Sequence, residues 1–89
     1  MTVTVIISVE VSDFDEWKTM FNEIEQQRVA AGIHAKPYRK PGDPNAAYVI
    51  GTAPSKEAFT AFITSPERMK IQNSGIITSQ PTITFLEDG

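Results

Sequence analysis

The sequence predicts one α+β domain with the order strand–helix–strand–strand–helix–strand. Three observations predict it. Val3–Val11 alternates with period 2. Phe14, Trp17, Phe21 and Ile24 form an apolar stripe at helical spacing. Turn and cap residues then divide the rest of the chain into two strands, a helical region and a last strand.

The first strand has Val3, Val5, Ile7, Val9 and Val11 at its odd positions and Thr4, Ile6, Ser8 and Glu10 at its even ones. β-Branched residues suit a pleated, half-buried surface. The odd face requires a dry core, and the half-apolar even face suits a wetter cavity or an interface. Ser12 or Asp13 caps the following helix, with Asp15 and Glu16 at the positive end of its dipole. Asp13 and Glu16 have capping-box spacing, with Asp in the usual Ser or Thr position. Met20 flanks the stripe, while Lys18, Asn22, Glu25 and Gln26 fall on the wet side. The helix is expected to run on to Ala30-Ala31 and to end with Gly32 at C′.

Ile33 to Lys40 reads as a second strand. Pro37 donates no ladder hydrogen bond, so this strand belongs at an edge or carries a bulge. Pro41-Gly42-Asp43-Pro44-Asn45 is a turn, which joins it as an antiparallel hairpin to a third strand, Ala46 to Thr52. That strand is mostly apolar and is expected to be buried on both faces. Ser55 caps a second helical region through Phe59, Phe62 and Ile63. The region breaks at Thr64-Ser65-Pro66, and a short helix starting at Pro66 stops near Gly75. Pro81–Glu87 alternates again and forms the last strand.

This order is the ferredoxin-like split-βαβ arrangement, a four-stranded antiparallel sheet with helices on one face. The other face carries Thr4, Ile6 and Ser8 beside Thr82, Thr84 and Leu86, a mixture poorly suited to full exposure. A domain of 89 residues buries only about 60–65% of its unfolded surface. Cysteine is absent, so oligomerisation is the remaining staple. Two sheets packed face to face make the chain its own partner, a homodimer.

Composition excludes several functions. Without cysteine there is no thiol nucleophile and no thiolate-held metal. The net charge is −3 and the eight Lys and Arg are scattered, unlike the clustered basic face of a nucleic-acid binder. The first residues lack the basic-then-apolar pattern of a secretory signal, and no apolar run approaches the roughly 20 residues of a membrane span. The expectation is a cytoplasmic protein that binds neither membrane nor nucleic acid. Asp13, Asp15 and Glu16 are explained by helix capping, and no metal site is expected.

Few residues are candidates for chemistry. His34 is the only side chain whose ordinary pKa lies near neutrality; it is either a general base at a pocket mouth or an exposed strand-start histidine. Tyr38 and Tyr48 lie on facing hairpin strands, either to hold a ligand oxygen or to pack across the strands. Trp17 either lines a pocket for a flat substrate or belongs to the core, and Ser8 lines a small cavity or sits on an ordinary polar strand face. A catalytic constellation does not emerge, and no cofactor is implied.

Several punctuating segments resemble the dimeric α/β-barrel superfamily, and within it the small antibiotic-biosynthesis-monooxygenase-like proteins. Val11-Ser12-Asp13-Phe14-Asp15-Glu16-Trp17 opens the first helix and Ala31-Gly32 closes it. Tyr38-Arg39 precedes Asp43-Pro44-Asn45, Ser65-Pro66-Glu67 opens the last short helix, and Phe85-Leu86-Glu87 closes the last strand. The resemblance implies a cofactor-independent monooxygenase-like or cyclase-like enzyme acting on a small aromatic or polyketide-like molecule. A non-enzymatic dimeric module that binds a small ligand or a partner is the alternative. The Asn, Trp and His pattern of haem-degrading members is not met: strand one has no Asn, Trp17 lies in the helical stripe, and His34 follows it. An RNA-recognition domain shares the element order, but it requires stacking aromatics where strand one has Thr4, Ile6 and Ser8.

Overall fold

The structure is a computed structural model that describes residues 2–87. Its elements are β1 (Val3–Glu10), α1 (Phe14–Glu23), α2 (Glu25–Ala30), β2 (His34–Arg39), β3 (Ala46–Ala53), α3 (Lys56–Ile63), α4 (Pro66–Gln72) and β4 (Thr82–Leu86). The strands form one antiparallel sheet in the order β2-β3-β1-β4. This is the expected ferredoxin-like arrangement. Pro37 sits on the edge strand β2, as its missing N–H requires.

The odd face of β1 is buried through Val5, Ile7 and Val9, and β3 adds Ala47, Val49 and Ala53. Helices cover this face. Trp17 and Phe21 of α1, Phe59 of α3 and Ile71 of α4 complete the core. Phe59 meets Phe85 of β4 edge-on, with ring centroids 5.7 Å apart, and so ties α3 to the sheet.

Local chemistry sets the ends of the elements. Asp13 accepts the Glu16 N–H at 3.0 Å and Ser55 accepts the Ala58 N–H at 3.0 Å, each relieving an orphan donor of a first turn. Pro66 occupies the first position of α4, where no donor is needed. Gly32 (φ +77) closes α2 in a Schellman motif: its N–H reaches the Val29 carbonyl, and the Ile33 N–H reaches the Arg28 carbonyl. At the hairpin turn, Asn45 takes the Val11 N–H on its carbonyl and donates from Nδ2 to the Val11 carbonyl, both at 2.8 Å. The turn is thereby fastened to the end of β1.

Two expectations are corrected. The first helix is not continuous, because it breaks at Ile24 (φ −103, ψ 20) into α1 and α2. The Arg28 guanidinium donates to the Phe21 carbonyl, supplying from a side chain the partner that a continuous helix would supply from its backbone. Nor is β3 buried on both faces. Ile50 is 42% exposed, because among the described residues the helices all pack on the other face of the sheet.

Candidate functional site

Two concavities flank the β2 side of the molecule. The inner one lies between sheet and helices and has a volume of about 40 Å³. Its floor is Ile7, Ala35 and Val49 of the sheet. Trp17 and Phe21 wall it on one side, Phe59, Phe62 and Ile63 of α3 on the other. The period-2 alternation of the strands and the stripe of α1 therefore converge here. Two cations enter this apolar lining: Arg28 from α2 and Arg68 from α4.

Arg28 is only 5% exposed. Its guanidinium carbon lies 3.6 Å from the centroid of the Phe21 ring, a close cation–π stack. Burial pushes its pKa below the ordinary guanidinium value, with the Glu25 carboxylate opposing the shift. Burial pushes Arg68 down as well, and its Nη1 donates to Gln72 Oε1 at 3.2 Å, one turn along the same helix.

The outer concavity is an open groove of about 430 Å³ at the β2 edge. His34, Lys36, Tyr38 and Ile50 line it from the even face of the sheet, and Glu25 and Val29 from α2. Arg28, Ile33 and Ala35 line both concavities and so form the wall between them.

The candidates read from the sequence fall on opposite sides of this wall. Trp17 is 4% exposed and lines the inner cavity, while its ring stacks obliquely on Phe14 and Phe21 at 5.5 and 5.4 Å. It is a core residue and a pocket wall at once. Ser8 does not share that pocket. Period 2 places it on the even face, opposite Tyr48 on β3 and Thr82 on β4. His34 and Tyr38 are exposed and line the outer groove, and Tyr38 stands directly opposite Tyr48. The described lining of the inner cavity holds no histidine, tyrosine or carboxylate.

The two arginines are the residues that the sequence reading missed. A signal for Arg28 was present: it lies four residues beyond Ile24, where the stripe through Trp17, Phe21 and Ile24 next turns inward. Arg68 lies one turn before the buried Ile71. Among the described residues no group of three or more metal-ligating side chains comes together, and no helix is long and apolar enough to cross a membrane.

No family model and no curated protein matches the sequence. Solved structures do match the fold. An antibiotic biosynthesis monooxygenase superposes with a TM-score of 0.78 at 11% identity, over 98% of this chain and 98% of that one. SnoaB, a cofactor-independent oxygenase from Streptomyces nogalater, gives 0.76 at 15% identity, over 99% and 95%. A conserved protein from Methanosarcina mazei Go1 gives 0.80 at 12% identity, over 100% and 94%. The chain has the fold of the antibiotic-biosynthesis-monooxygenase-like proteins it was seen to resemble. At these identities the likeness is one of fold.

Proposed function

We propose that this chain is a homodimeric α/β-barrel protein that takes a small aromatic or polyketide-like molecule between its sheet and helices and acts on it without a bound cofactor, as an oxygenase or cyclase. The apolar cavity bounded by Trp17, Phe21 and Phe59 carries this reading: concave, mostly apolar, with few polar groups. The fold shared with a cofactor-independent oxygenase supports the chemistry.

In such chemistry the substrate supplies the electrons. A ring methylene next to a carbonyl loses a proton to give an enolate, and the enolate reduces dioxygen. One oxygen atom becomes the new carbonyl and the other leaves as water. The protein's part is to exclude bulk water and to hold the ring in a positively charged, mostly apolar site. At about 40 Å³ the cavity has room for a few waters, so taking in a ring requires its lining to open.

One observation favours the second reading, a binding module without turnover. His34, the residue suited to accept a proton near neutral pH, faces the outer groove, and the described lining of the inner cavity has no proton acceptor of its kind. The dimer is supported by the even face of the sheet, where Ile6, Ile50 and Leu86 stand among threonines, with Leu86 46% exposed.

Oxygen uptake separates the two readings. The protein is mixed with anthrone, an enolisable tricyclic ketone, and dioxygen consumption is followed beside binding by calorimetry. Binding with stoichiometric oxygen uptake above the buffer rate supports the enzyme. Binding without uptake leaves the module, and no binding of anthrone or of smaller rings rejects both.

A further inference from the structure

We propose that the inner cavity is built for an anionic head group: that Arg28 and Arg68 together hold the carboxylate of a small, compact, ring-bearing acid whose body lies against Trp17, Phe59 and Ile63. The proposal rests on reading this cavity as a ligand site and names the class of ligand.

Two guanidinium groups in an apolar lining are costly. A buried charge needs a paired or hydrogen-bonded partner, and an arginine brings five N–H donors. Arg28 is nearly fully buried, and among the described residues its guanidinium donates one hydrogen bond, from Nη1 to the Phe21 carbonyl. That bond gives it a structural role at the α1–α2 break. Its guanidinium also stacks on the Phe21 ring and lines both the inner cavity and the outer groove.

Arg68 has no comparable structural explanation. Its partner is Gln72, a neutral side chain on its own helix. A surface arginine has no need of the cavity, since its charge is best solvated in water. Among the described residues no acidic side chain lines the cavity itself; Glu25 acts on Arg28 from the outer groove, and for Arg68 burial is the effect that shows. Two helices that are separate in sequence thus bring two positive charges into one apolar space, with the Glu25 carboxylate acting on Arg28 from outside it.

The ligand chemistry follows from the fit. Guanidinium matches carboxylate with two parallel N–H···O bonds, and charge-assisted bonds of this kind strengthen where water is excluded. The surrounding Phe, Trp and Ile side chains demand an apolar body. A phosphate, with more charge to desolvate and more oxygens to satisfy, suits this lining less well. A volume of about 40 Å³ is on the scale of a carboxylate head, so the head seats first and the body follows as the helices yield.

Benzoate and its neutral isostere benzamide test the proposal by calorimetry on the full chain. Benzoate is expected to bind about 10- to 100-fold more tightly than benzamide, the usual worth of a charge-assisted hydrogen bond. Arg68→Met keeps the apolar stem and removes the charge. It is expected to bring the two affinities within about twofold while the melting temperature holds. Arg28→Met risks unfolding at the helix break, so Arg28→Lys is the second variant. It keeps the charge, loses the planar fork, and is expected to reduce the preference in part. Lys36→Gln, in the outer groove, is expected to leave the preference intact. Equal affinities in the wild type overturn the anionic head and leave the ring site standing. A benzoate preference that survives in both Arg68→Met and Arg28→Lys, or that is lost in Lys36→Gln, also overturns it. Binding of neither ligand overturns this proposal together with the ring site beneath it.

Discussion

The two faces of the sheet are made by the same alternation and have opposite characters. On the inner face Val5, Ile7 and Val9 of β1 meet Gly51, Val49 and Ala47 of β3, and helices seal them. On the outer face the register aligns Lys36, Ile50, Ile6 and Thr84 in one row and Tyr38, Tyr48, Ser8 and Thr82 in the next. The inner face is mostly apolar and covered by helices. The outer one interleaves apolar, aromatic and hydroxyl side chains, a composition closer to an interface than to a core. Period 2 decides which residues share a face. The mixture on that face decides whether it is sealed within the chain or from outside it.

The largest expected effect lies on the inner face. Trp17→Ala removes a side chain that is both core and cavity wall, and should cost about 3–5 kcal/mol. For a domain holding about 5–15 kcal/mol in total, that is a large share. Chemical denaturation measures it, and a loss below 1 kcal/mol would mean that the core closes without this ring.

Gly51 of β3 leaves no room for a side chain against the edge strand. A Cβ there would lie 2.5 Å from Ala35 Cα, so Gly51→Ala must push β2 outward. Overpacking of this kind costs about 1–3 kcal/mol. Amide exchange along β2 should accelerate while β1 stays protected. Uniform protection would place the weak point elsewhere.

Ile50→Glu tests the outer face. As Ile50 is already exposed within the chain, the variant should fold normally but weaken self-association by about tenfold or more, a step of about 1.4 kcal/mol. Sedimentation equilibrium reads this directly. A wild type that stays monomeric at micromolar concentration, or a variant that dimerises unchanged, breaks the assignment of this face to a second copy. The smallest effect is expected at His34. His34→Gln changes an exposed side chain outside the inner cavity and should shift stability by no more than about 0.5 kcal/mol. Any turnover should hold within about twofold. A 10²- to 10⁴-fold loss would instead make His34 a proton-transfer residue and move the site to the outer groove.

Much of the fold was legible because the relevant rules are local. The alternation of Val3–Val11, the caps at Asp13 and Ser55, the closing Gly32 and the edge-strand Pro37 each act within a few residues. The break at Ile24 was not legible, because Trp17, Phe21, Ile24 and Arg28 keep an unbroken helical spacing while the bond that interrupts the helix comes from a side chain seven residues away. The exposure of Ile50 was hidden for a different reason. An apolar strand looks the same whether its second face is covered by its own chain or left open. Of the site, Trp17 was legible as either a core residue or a pocket wall, and it lies in the core while lining the inner cavity. The inward turn of the two arginines depends on how α2 and α4 approach the sheet, which their charge alone would have argued against.

Isoleucine methyls on the two faces provide the most direct test of the division between them. Ile24, Ile63 and Ile71 line the inner cavity, whereas Ile6 and Ile50 lie on the outer face. One methyl-labelled spectrum, recorded with and without saturating benzoate, reports on both sides of the sheet at once. The account predicts that the Ile24, Ile63 and Ile71 methyls shift while those of Ile6 and Ile50 stay in place. Shifts confined to Ile6 and Ile50 would put the ligand on the open face and contradict it.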